Sequence, residues 1–298
     1  PANAERHNGA AAPLFIAMMA WRTSRFTIDL SRPRVMGIVN VTPDSFSDGG
    51  LFASERDAVA QCERLVGEGA DILDIGGEST RPGARTPSAE EELERVLPVL
   101  RHALTLGVPV SVDTSQPAVM RAVLGAGADI VNDVRSLQRP GALEVVAAHP
   151  KCGLCLMHMQ GEPGTMQAAP HYTDVVQDVA AFLAHRRDAA LVVGIGFDRI
   201  VLDPGIGFGK TLEHNVALLA RQRELVSLGS PLLVGWSRKS TLGTITGRAV
   251  GQRLHASVAA ALMAVERGAQ IVRVHDVAAT VDALKVWCAT IAPEVKTP

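Results

Sequence analysis

The chain has 298 residues, a length that fits one α/β barrel of about 250 residues with a short N-terminal extension. Its formal net charge is −2 and it has no Lys- or Arg-rich run, which argues against a nucleic-acid groove or an anionic membrane surface as its partner. A hydrophobic fraction of 47% with only 4% aromatic residues is typical of a core packed with aliphatic side chains. The expected partner is a small molecule.

The cysteines and the first apolar segment indicate the compartment. Four cysteines, Cys62, Cys152, Cys155 and Cys288, are too few and too scattered for a disulfide framework. Cys152 and Cys155 share one apolar run, and a spacing of three directs their side chains to opposite faces of a strand, so we expect core positions rather than a zinc or redox pair. The segment LFIAMMAW at 14–21 is far shorter than the roughly 20 residues of a membrane span. With no secretory signal recognised, a cytoplasmic location is expected.

Short apolar runs that end on a polar residue alternate along the chain with segments of helical period. Eight such runs predict a single closed parallel (β/α)₈ barrel, a TIM barrel, whose strands all end at one mouth. We expect an extension over 1–25 that is partly disordered up to about residue 13, the barrel over 26–292 and a tail over 293–298. Segment 24–33 is expected to cover the bottom of the barrel. The runs end at Asn40, Asp74, Asp113, Asn132, His158, Asp203, Arg238 and His275.

Helix signals fall between these runs. Ser54 is expected to cap the first helix, and Ser88 with Glu91 forms a capping box for the second, in which Pro98 predicts a kink. The loops after strands one, two, five and seven are long and should form the site, and segments 41–50 and 77–84 are expected to be mobile. The remaining helices are predicted at about 116–125, 141–149, 173–190, 212–225, 252–267 and 278–290.

Three polar strand ends predict a recognition edge for a flat molecule. Asp113, Asn132 and Asp203 close three apolar strands, where a carboxylate is unfavourable unless it meets donors. Together they suit a heterocycle rich in N–H groups. One such residue alone would be explained as a helix cap, and Asp113 is followed by Thr114 and Ser115, but this explanation is less suited to all three.

The last predicted strand suggests an anion site. Arg273 and His275 share one face, and Asp276 is a natural N-cap for the following helix, at the end of the barrel that often binds phosphate. We expect this pair to lie away from the ring-edge carboxylates; the alternative is an ion pair with neighbouring carboxylates. Lys239, just past strand seven, faces a ring carbonyl or nitrogen, a phosphate, or solvent.

Two weak motif matches are set aside. GIGFGKT at 205–211 is similar to the end of a P-loop, but Pro204 stands where the first Gly is required. The same segment fails as G-x-G-x-x-G because Lys210 stands where the third Gly is required. The histidines show no metal-ligand spacing, so structural or solvated roles are expected for His149, His158, His171 and His185.

Several longer strings resemble the bacterial dihydropteroate synthase family. They are MGIVNVTPDSFSDGG at 36–50, DIGGESTRPGA at 74–84, SVDTS at 111–115, IVND at 130–133, LMHMQGEPGTMQ at 156–167, LDPGIGFGK at 202–210, GWSRKS at 235–240 and RVHDV at 273–277. The resemblance runs from about residue 26 to 290 in order and spacing, with no departure at a motif position.

The resemblance implies a TIM barrel that joins 6-hydroxymethyl-7,8-dihydropterin pyrophosphate to p-aminobenzoate in folate synthesis, with release of pyrophosphate. It also implies Mg²⁺, a homodimer and binding of sulfonamides. The implied catalytic residues are Asp113, Asp203, Lys239, Arg273 and His275. The implied pterin residues are Asp113, Asn132, Met157, Asp203, Phe208, Gly235 and Lys239. Those for pyrophosphate are Asn40, Thr80, Arg273 and His275, with Asn40 also at the metal, and those for p-aminobenzoate are Phe46, Thr80, Arg81, Pro82 and Ser240.

Two other functions use the same barrel. A pterin-binding methyltransferase module shares the Asp and Asn pocket but has no use for a pyrophosphate site, so Arg273, His275 and the loop at 40–50 argue against it. A non-catalytic paralogue is the second alternative, because a fold alone does not establish a function.

Overall fold

The computed structural model describes residues 20–41, 50–78, 86–162 and 164–291, with no side-chain detail at 50–54. Two short strands, β1 (Ala20–Arg22) and β2 (Thr27–Asp29), precede the barrel. The eight strands that follow are β3 (Arg34–Asn40), β4 (Ile72–Gly76), β5 (Val110–Asp113), β6 (Ile130–Asp133), β7 (Gly153–Met157), β8 (Ile200–Asp203), β9 (Leu233–Val234) and β10 (Ile271–Val274).

The eight strands confirm the predicted parallel barrel. Their order is β8-β7-β6-β5-β4-β3-β10-β9, and every neighbouring pair is parallel. A parallel bridge between Leu202 and Leu232 joins the two edges, with the N–H of Leu202 donating to the Pro231 carbonyl at 2.9 Å. The sheet therefore closes on itself, and the carboxyl ends of all eight strands surround one mouth.

Helices connect the strands, as the alternating pattern predicts. They are α1 (Gly50–Gly67), α2 (Ala89–Ala103), α3 (Pro117–Gly125), α4 (Ala142–Ala148), α5 (Val175–Val192), α6 (Leu212–Ala220), α7 (Gln222–Val226), α8 (Ser240–Thr246), α9 (Leu254–Glu266) and α10 (Val277–Ile291). Their apolar faces pack on the outside of the barrel in two large clusters of buried aliphatic residues.

The helix ends show where local signals succeed and fail. The capping box of Ser88 and Glu91 is confirmed, because each residue's side chain accepts a hydrogen bond from the backbone N–H of the other. Ser54 was wrong as the first cap, since α1 already begins at Gly50. The single helix expected at 212–225 is two, because the chain leaves helical geometry at Arg221.

A small antiparallel hairpin covers the bottom of the barrel, as expected for segment 24–33. Trp21 from β1 and Ile28 from β2 pack against residues that point into the barrel, among them Met36 and Ile271. The Trp21 indole N–H donates to the Arg199 carbonyl at 2.9 Å. Because Trp21 is fully buried, the folded part includes at least Ala20–Arg22 of the segment expected as an N-terminal extension.

The cysteines confirm the strand parity. All four are free, and Cys152 and Cys155 are buried in different clusters, one between sheet and helices and the other inside the barrel. Within the described ranges, no helix has the length and apolar character that crossing a bilayer requires. The expected disorder of residues up to 13 concerns a part of the chain outside the described residues.

Candidate active site

The strand-end residues meet at the mouth. Asn40, Asp113, Met157 and Asp203 are the last residues of β3, β5, β7 and β8, and Asn132 lies one residue before the end of β6. Strand pairing sets Asn40 beside Gly76, Gly76 beside Asp113, Asp113 beside Asn132, and Met157 beside Asp203. Residues that are far apart in sequence thus line one end of the barrel.

Arg273 is at the centre of the charged side chains. Its Nε donates to Asp74 Oδ2 at 2.6 Å, and its Nη2 donates to Asp113 Oδ2 at 3.0 Å. The expectation that Arg273 lies away from the ring-edge carboxylates was wrong. The reason is reach: from β10 the long side chain extends inside the barrel past β3 to carboxylates on β4 and β5. The ion-pair alternative describes its partners correctly, although these partners belong to the site rather than to an outer surface.

Asp74 is a site residue that the sequence analysis marked only as the end of an apolar run. Its side chain is fully buried in the middle of β4. Besides the guanidinium of Arg273, its Oδ2 accepts the Asn132 amide at 3.2 Å. Its Oδ1 has no hydrogen-bond partner among the described residues. A carboxylate between Leu73 and Ile75 requires a buried cation, which is the signal that could have identified it.

The network has opposite effects on the ionisation of its members. Burial raises the pKa of Asp113 well above its ordinary value, although the charge of Arg273 opposes this shift. Burial alone would lower the pKa of Arg273, but Asp74 and Asp113 raise it above its ordinary value. Arg273 therefore stays charged and pairs with both carboxylates, and a ligand N–H at Asp113 would further favour the charged form of this carboxylate.

Lys239 and Asp203 form the other side of the mouth. The ammonium of Lys239 donates to the Ile206 carbonyl and lies 4.8 Å from the centre of the Phe208 ring. Asp203 Oδ1 accepts the Gly205 N–H at 2.7 Å, and burial raises the pKa of Asp203. Burial lowers the pKa of Lys239 to about 8, against the opposing charge of Asp203. Of the three alternatives for Lys239, a solvated loop position is excluded by these contacts.

Gly235 lies between the two sides. A Cβ at Gly235 would lie 3.7 Å from the Cβ of Arg273 and 3.9 Å from the ammonium of Lys239. The base of the Arg273 side chain and the ammonium of Lys239 therefore both lie close to a residue that has no side chain. The predicted pterin residues, including Met157 and Phe208, are brought to one end of the barrel.

His275 lies just after β10 and is held by Ser237. Its Nδ1 is 3.0 Å from Ser237 Oγ, and its backbone N–H donates to the same oxygen at 3.1 Å. Burial, followed by the charge of Arg273, lowers the pKa of His275 to about 4, so at neutral pH its ring offers a hydrogen bond rather than a charge. The carboxylate of Asp276, expected as a helix cap, accepts from Arg238 Nε at 3.0 Å.

Of the predicted p-aminobenzoate residues, Ser240 lies within the described ranges. Ser240 is exposed at the first position of α8, directly after Lys239. Phe46, Thr80, Arg81 and Pro82 lie outside the described residues, as do residues 42–49 and 79–84 of the loop segments expected to be mobile.

The segment GIGFGKT forms a turn above β8. Its Lys210 is buried, and the ammonium lies 2.9 Å from the Gly205 carbonyl and 3.0 Å from the Phe208 carbonyl. The ammonium also lies 2.9 Å from Nδ1 of the His158 ring, which gives that histidine a structural position.

The chain is similar to a known family of enzymes. The family described as pterin binding enzyme matches residues 36–275. The curated dihydropteroate synthase of Neisseria meningitidis serogroup B is 54% identical over 278 residues, which cover 91% of this chain and 98% of that protein.

Two solved structures resemble the barrel closely. The dihydropteroate synthase of Xanthomonas albilineans with 4-aminobenzoic acid superposes with a TM-score of 0.85 at 54% identity and covers 89% of this chain and 96% of that one. The dihydropteroate synthase of Yersinia pestis in complex with a sulfonamide drug has a TM-score of 0.87 at 49% identity and covers 92% and 99% of the two chains.

Proposed function

The chain belongs to the dihydropteroate synthase family of pterin-binding enzymes, and from this premise we propose how its own residues divide the reaction. The reaction joins 6-hydroxymethyl-7,8-dihydropterin pyrophosphate to p-aminobenzoate. The bond from the pterin CH₂ to the pyrophosphate oxygen breaks, a bond from that carbon to the aniline nitrogen forms, and the nitrogen loses a proton. The main support for this proposal is that Arg273 forms ion pairs with both Asp74 and Asp113.

The carboxylates hold the ring and stabilise its charge. Asp113, Asn132 and Asp203 present acceptors at the mouth to the N–H groups of the pterin. As the leaving group departs, the dihydropterin ring carries positive charge, which nearby carboxylates stabilise. Burial raises the pKa of both Asp113 and Asp203. Hydrogen bonds from the ring N–H groups oppose this shift and favour the charged carboxylates while the ring carries positive charge.

The pyrophosphate meets donors from β10 and the residue after it. Arg273 supplies a guanidinium that its carboxylate partners keep charged, and neutral His275 supplies an N–H. Since Arg273 also contacts Asp113, one side chain links the leaving-group end of the substrate to the ring end. This link distinguishes the proposed site from two independent subsites.

The donor set at Asn40 fits the Mg²⁺ that the resemblance implies. Asn40 Oδ1 and Asp113 Oδ2 each lie 3.9 Å from the place where a Cβ of Gly76 would be, so two oxygen donors flank a residue without a side chain. Mg²⁺ prefers oxygen ligands and is often held by one or two protein groups together with substrate phosphates. Asn40 is the proposed ligand, and bound Mg²⁺ would neutralise charge on the leaving pyrophosphate.

The second substrate is proposed to enter beside Lys239. Ser240 follows Lys239 and is exposed, which leaves it free to contact a carboxylate. The related structures with 4-aminobenzoic acid and with a sulfonamide drug support binding of compounds of these two kinds, and we propose the side of the mouth beside Lys239 for them. The roles of Phe46, Thr80, Arg81 and Pro82 stay predictions from the resemblance.

A homodimer and a cytoplasmic location complete the proposal. Helices α8, α9 and α10 pack side by side and expose apolar residues, with Ile245 57%, Met263 41% and Val286 69% accessible. An apolar surface of this kind supports an interface between two copies, which sedimentation velocity would test. The free cysteines are consistent with a reducing compartment.

The reaction itself has a direct test. The chain is incubated with dihydropterin pyrophosphate, p-aminobenzoate and MgCl₂, and pyrophosphate and dihydropteroate are measured together. Equal amounts of both products are expected, and no dihydropteroate without p-aminobenzoate. Release of pyrophosphate with no dihydropteroate would contradict the transfer. Neither the methyltransferase nor the non-catalytic alternative is supported by the relatives described above.

A further inference from the structure

The turn that follows β8 fixes Lys239. Residues 204–210 begin directly after Asp203, and two of them contact Lys239: the Ile206 carbonyl accepts from its ammonium, and the Phe208 ring lies 4.8 Å from it. The position of this turn therefore determines where the Lys239 charge lies relative to Asp203.

The turn packs backbone against backbone on the loop after β7. Gly205 and Gly209 both have positive φ angles, +65° and +60°. A Cβ at Gly205 would overlap the His158 carbonyl oxygen, and a Cβ at Gly209 would overlap that of Gln160. Only glycine allows this approach, which brings several carbonyl oxygens together without an N–H for each of them.

Lys210 supplies the missing donors. Its ammonium lies 2.9 Å from His158 Nδ1, 3.3 Å from the His158 carbonyl, 2.9 Å from the Gly205 carbonyl and 3.0 Å from the Phe208 carbonyl. Two of these acceptors belong to the loop after β7 and two to the turn itself. Lys210 thus joins the two backbone segments, and at 3% exposure it is out of reach of the substrate.

Aromatic rings also hold the loop after β7 in place against the turn. The His158 ring packs edge-on against Phe182, with centroids 4.9 Å apart. Burial lowers the pKa of His158 to about 2, so its neutral ring is an acceptor for Lys210. Tyr172 donates its hydroxyl to the Gly209 carbonyl at 2.7 Å, which adds a second link between the loop and the turn.

We propose that Lys210 is a positioning residue for pterin binding: by joining the turn at 204–210 to the loop after β7, it places Ile206 and Phe208 so that Lys239 faces the ring. The proposal rests on the proposed function, since it assigns Lys210 to the pterin half of that site. Lys210 acts through Lys239 and does not contact the substrate.

The test compares two buried cations that bind backbone carbonyls. Arg199 is also buried and donates to the carbonyls of Cys152, Pro150 and His149, but it lies at the N-terminal end of β8, at the bottom of the barrel. Lys210→Met and Arg199→Met each remove one such cation. Both variants should unfold at a lower temperature than the parent chain.

Pterin affinity separates the two roles. By calorimetry with 6-hydroxymethyl-7,8-dihydropterin, Lys210→Met should bind at least about tenfold more weakly, the loss typical of one misplaced charge-assisted hydrogen bond. Arg199→Met should bind within about twofold of the parent. The KM for p-aminobenzoate should stay the same in both. Equal pterin affinity in the two variants would show that Lys210 serves stability alone and would overturn the proposal.

A milder variant keeps the test decisive if Lys210→Met fails to fold. Tyr172→Phe removes only the hydroxyl that holds the Gly209 carbonyl and keeps the ring. It should weaken pterin binding by about two- to fivefold, in line with one neutral hydrogen bond. An unchanged affinity there would overturn the positioning role. A parent chain that bound no pterin would overturn the proposed function and this role together.

Discussion

Two cations lie near the mouth of the barrel, Lys210 buried and Arg273 largely buried, and their surroundings differ. Arg273 contacts two carboxylates, Asp74 and Asp113, and its pKa is raised. Lys210 has an imidazole and three backbone carbonyls as its hydrogen-bond acceptors, and burial lowers its pKa well below the ordinary value. The first cation is compensated by charges, whereas the second is compensated by dipoles.

The difference shows which side of the mouth can exchange its charged contacts when a substrate binds. Around Arg273, a substrate that brings phosphates and ring N–H groups can replace existing partners with equivalent ones, so the site responds to its ligand. Around Lys210, three of the four acceptors are backbone carbonyls and the fourth is the buried ring of His158, so nothing is free to exchange. One region binds, and the other holds the binding region in place.

The largest expected effect comes from removing Asp74, the fully buried carboxylate that pairs with Arg273. Asp74→Ala leaves Arg273 with Asp113 alone and leaves the Asn132 amide without its acceptor. Breaking a buried ion pair by removing one partner typically lowers the free energy of unfolding by about 3–5 kcal/mol. Urea denaturation measures the change.

A surface pair provides the control for Asp74. Asp198 pairs with Arg22 where both side chains are exposed, so Asp198→Ala should lower the free energy of unfolding by less than about 1 kcal/mol. A loss of similar size in both variants would mean that Asp74 is not needed to balance Arg273, and the contrast between the two cations would lose its basis.

The next effect concerns recognition of the ring by Asp203. Asp203→Asn keeps an oxygen for the Gly205 N–H but places an amide donor where the ring needs an acceptor. A loss of about 2–3 kcal/mol is expected, which is roughly thirty- to more than a hundredfold in kcat/KM for the pterin substrate. Steady-state kinetics measures it, and a near-parental value would place Asp203 outside the pocket.

Arg273→Lys tests whether one side chain links both ends of the substrate. A lysine keeps the charge but cannot span Asp74 and Asp113 as the guanidinium does. Binding of both 6-hydroxymethyl-7,8-dihydropterin and its pyrophosphate should weaken by about tenfold, as for one charge-assisted hydrogen bond. A loss restricted to the pyrophosphate, measured by calorimetry, would restore the separation expected from the sequence.

The sequence predicted positions better than partners. The strand pattern placed Asp113, Asn132 and Asp203 at one mouth, because the carboxyl ends of all strands in a parallel barrel lie at the same end. The pattern does not say how far a long side chain reaches, so the contact of Arg273 with Asp113 was missed. Asp74 was overlooked for the same reason, since its partner is 199 residues away in the chain.

The smallest expected effect is a pH dependence of pterin binding that comes from Lys239. Burial lowers its pKa to about 8, so the ammonium that faces the ring is charged below this pH and neutral above it. Pterin binding that needs the charge should therefore weaken above pH 8, by up to about tenfold per unit. His275, with a pKa of about 4, is already neutral in this range.

Lys239→Arg identifies the titrating group. A guanidinium stays charged to beyond pH 12, so this variant should bind the pterin more weakly at pH 7 because the geometry differs, yet show no weakening between pH 7 and 9. Binding is measured by calorimetry in buffers of constant ionic strength, with the melting temperature followed over the same range to exclude unfolding. Persistence of the same alkaline weakening in Lys239→Arg would assign it to the ligand or to another residue, and the charge of Lys239 would then have no part in ring recognition.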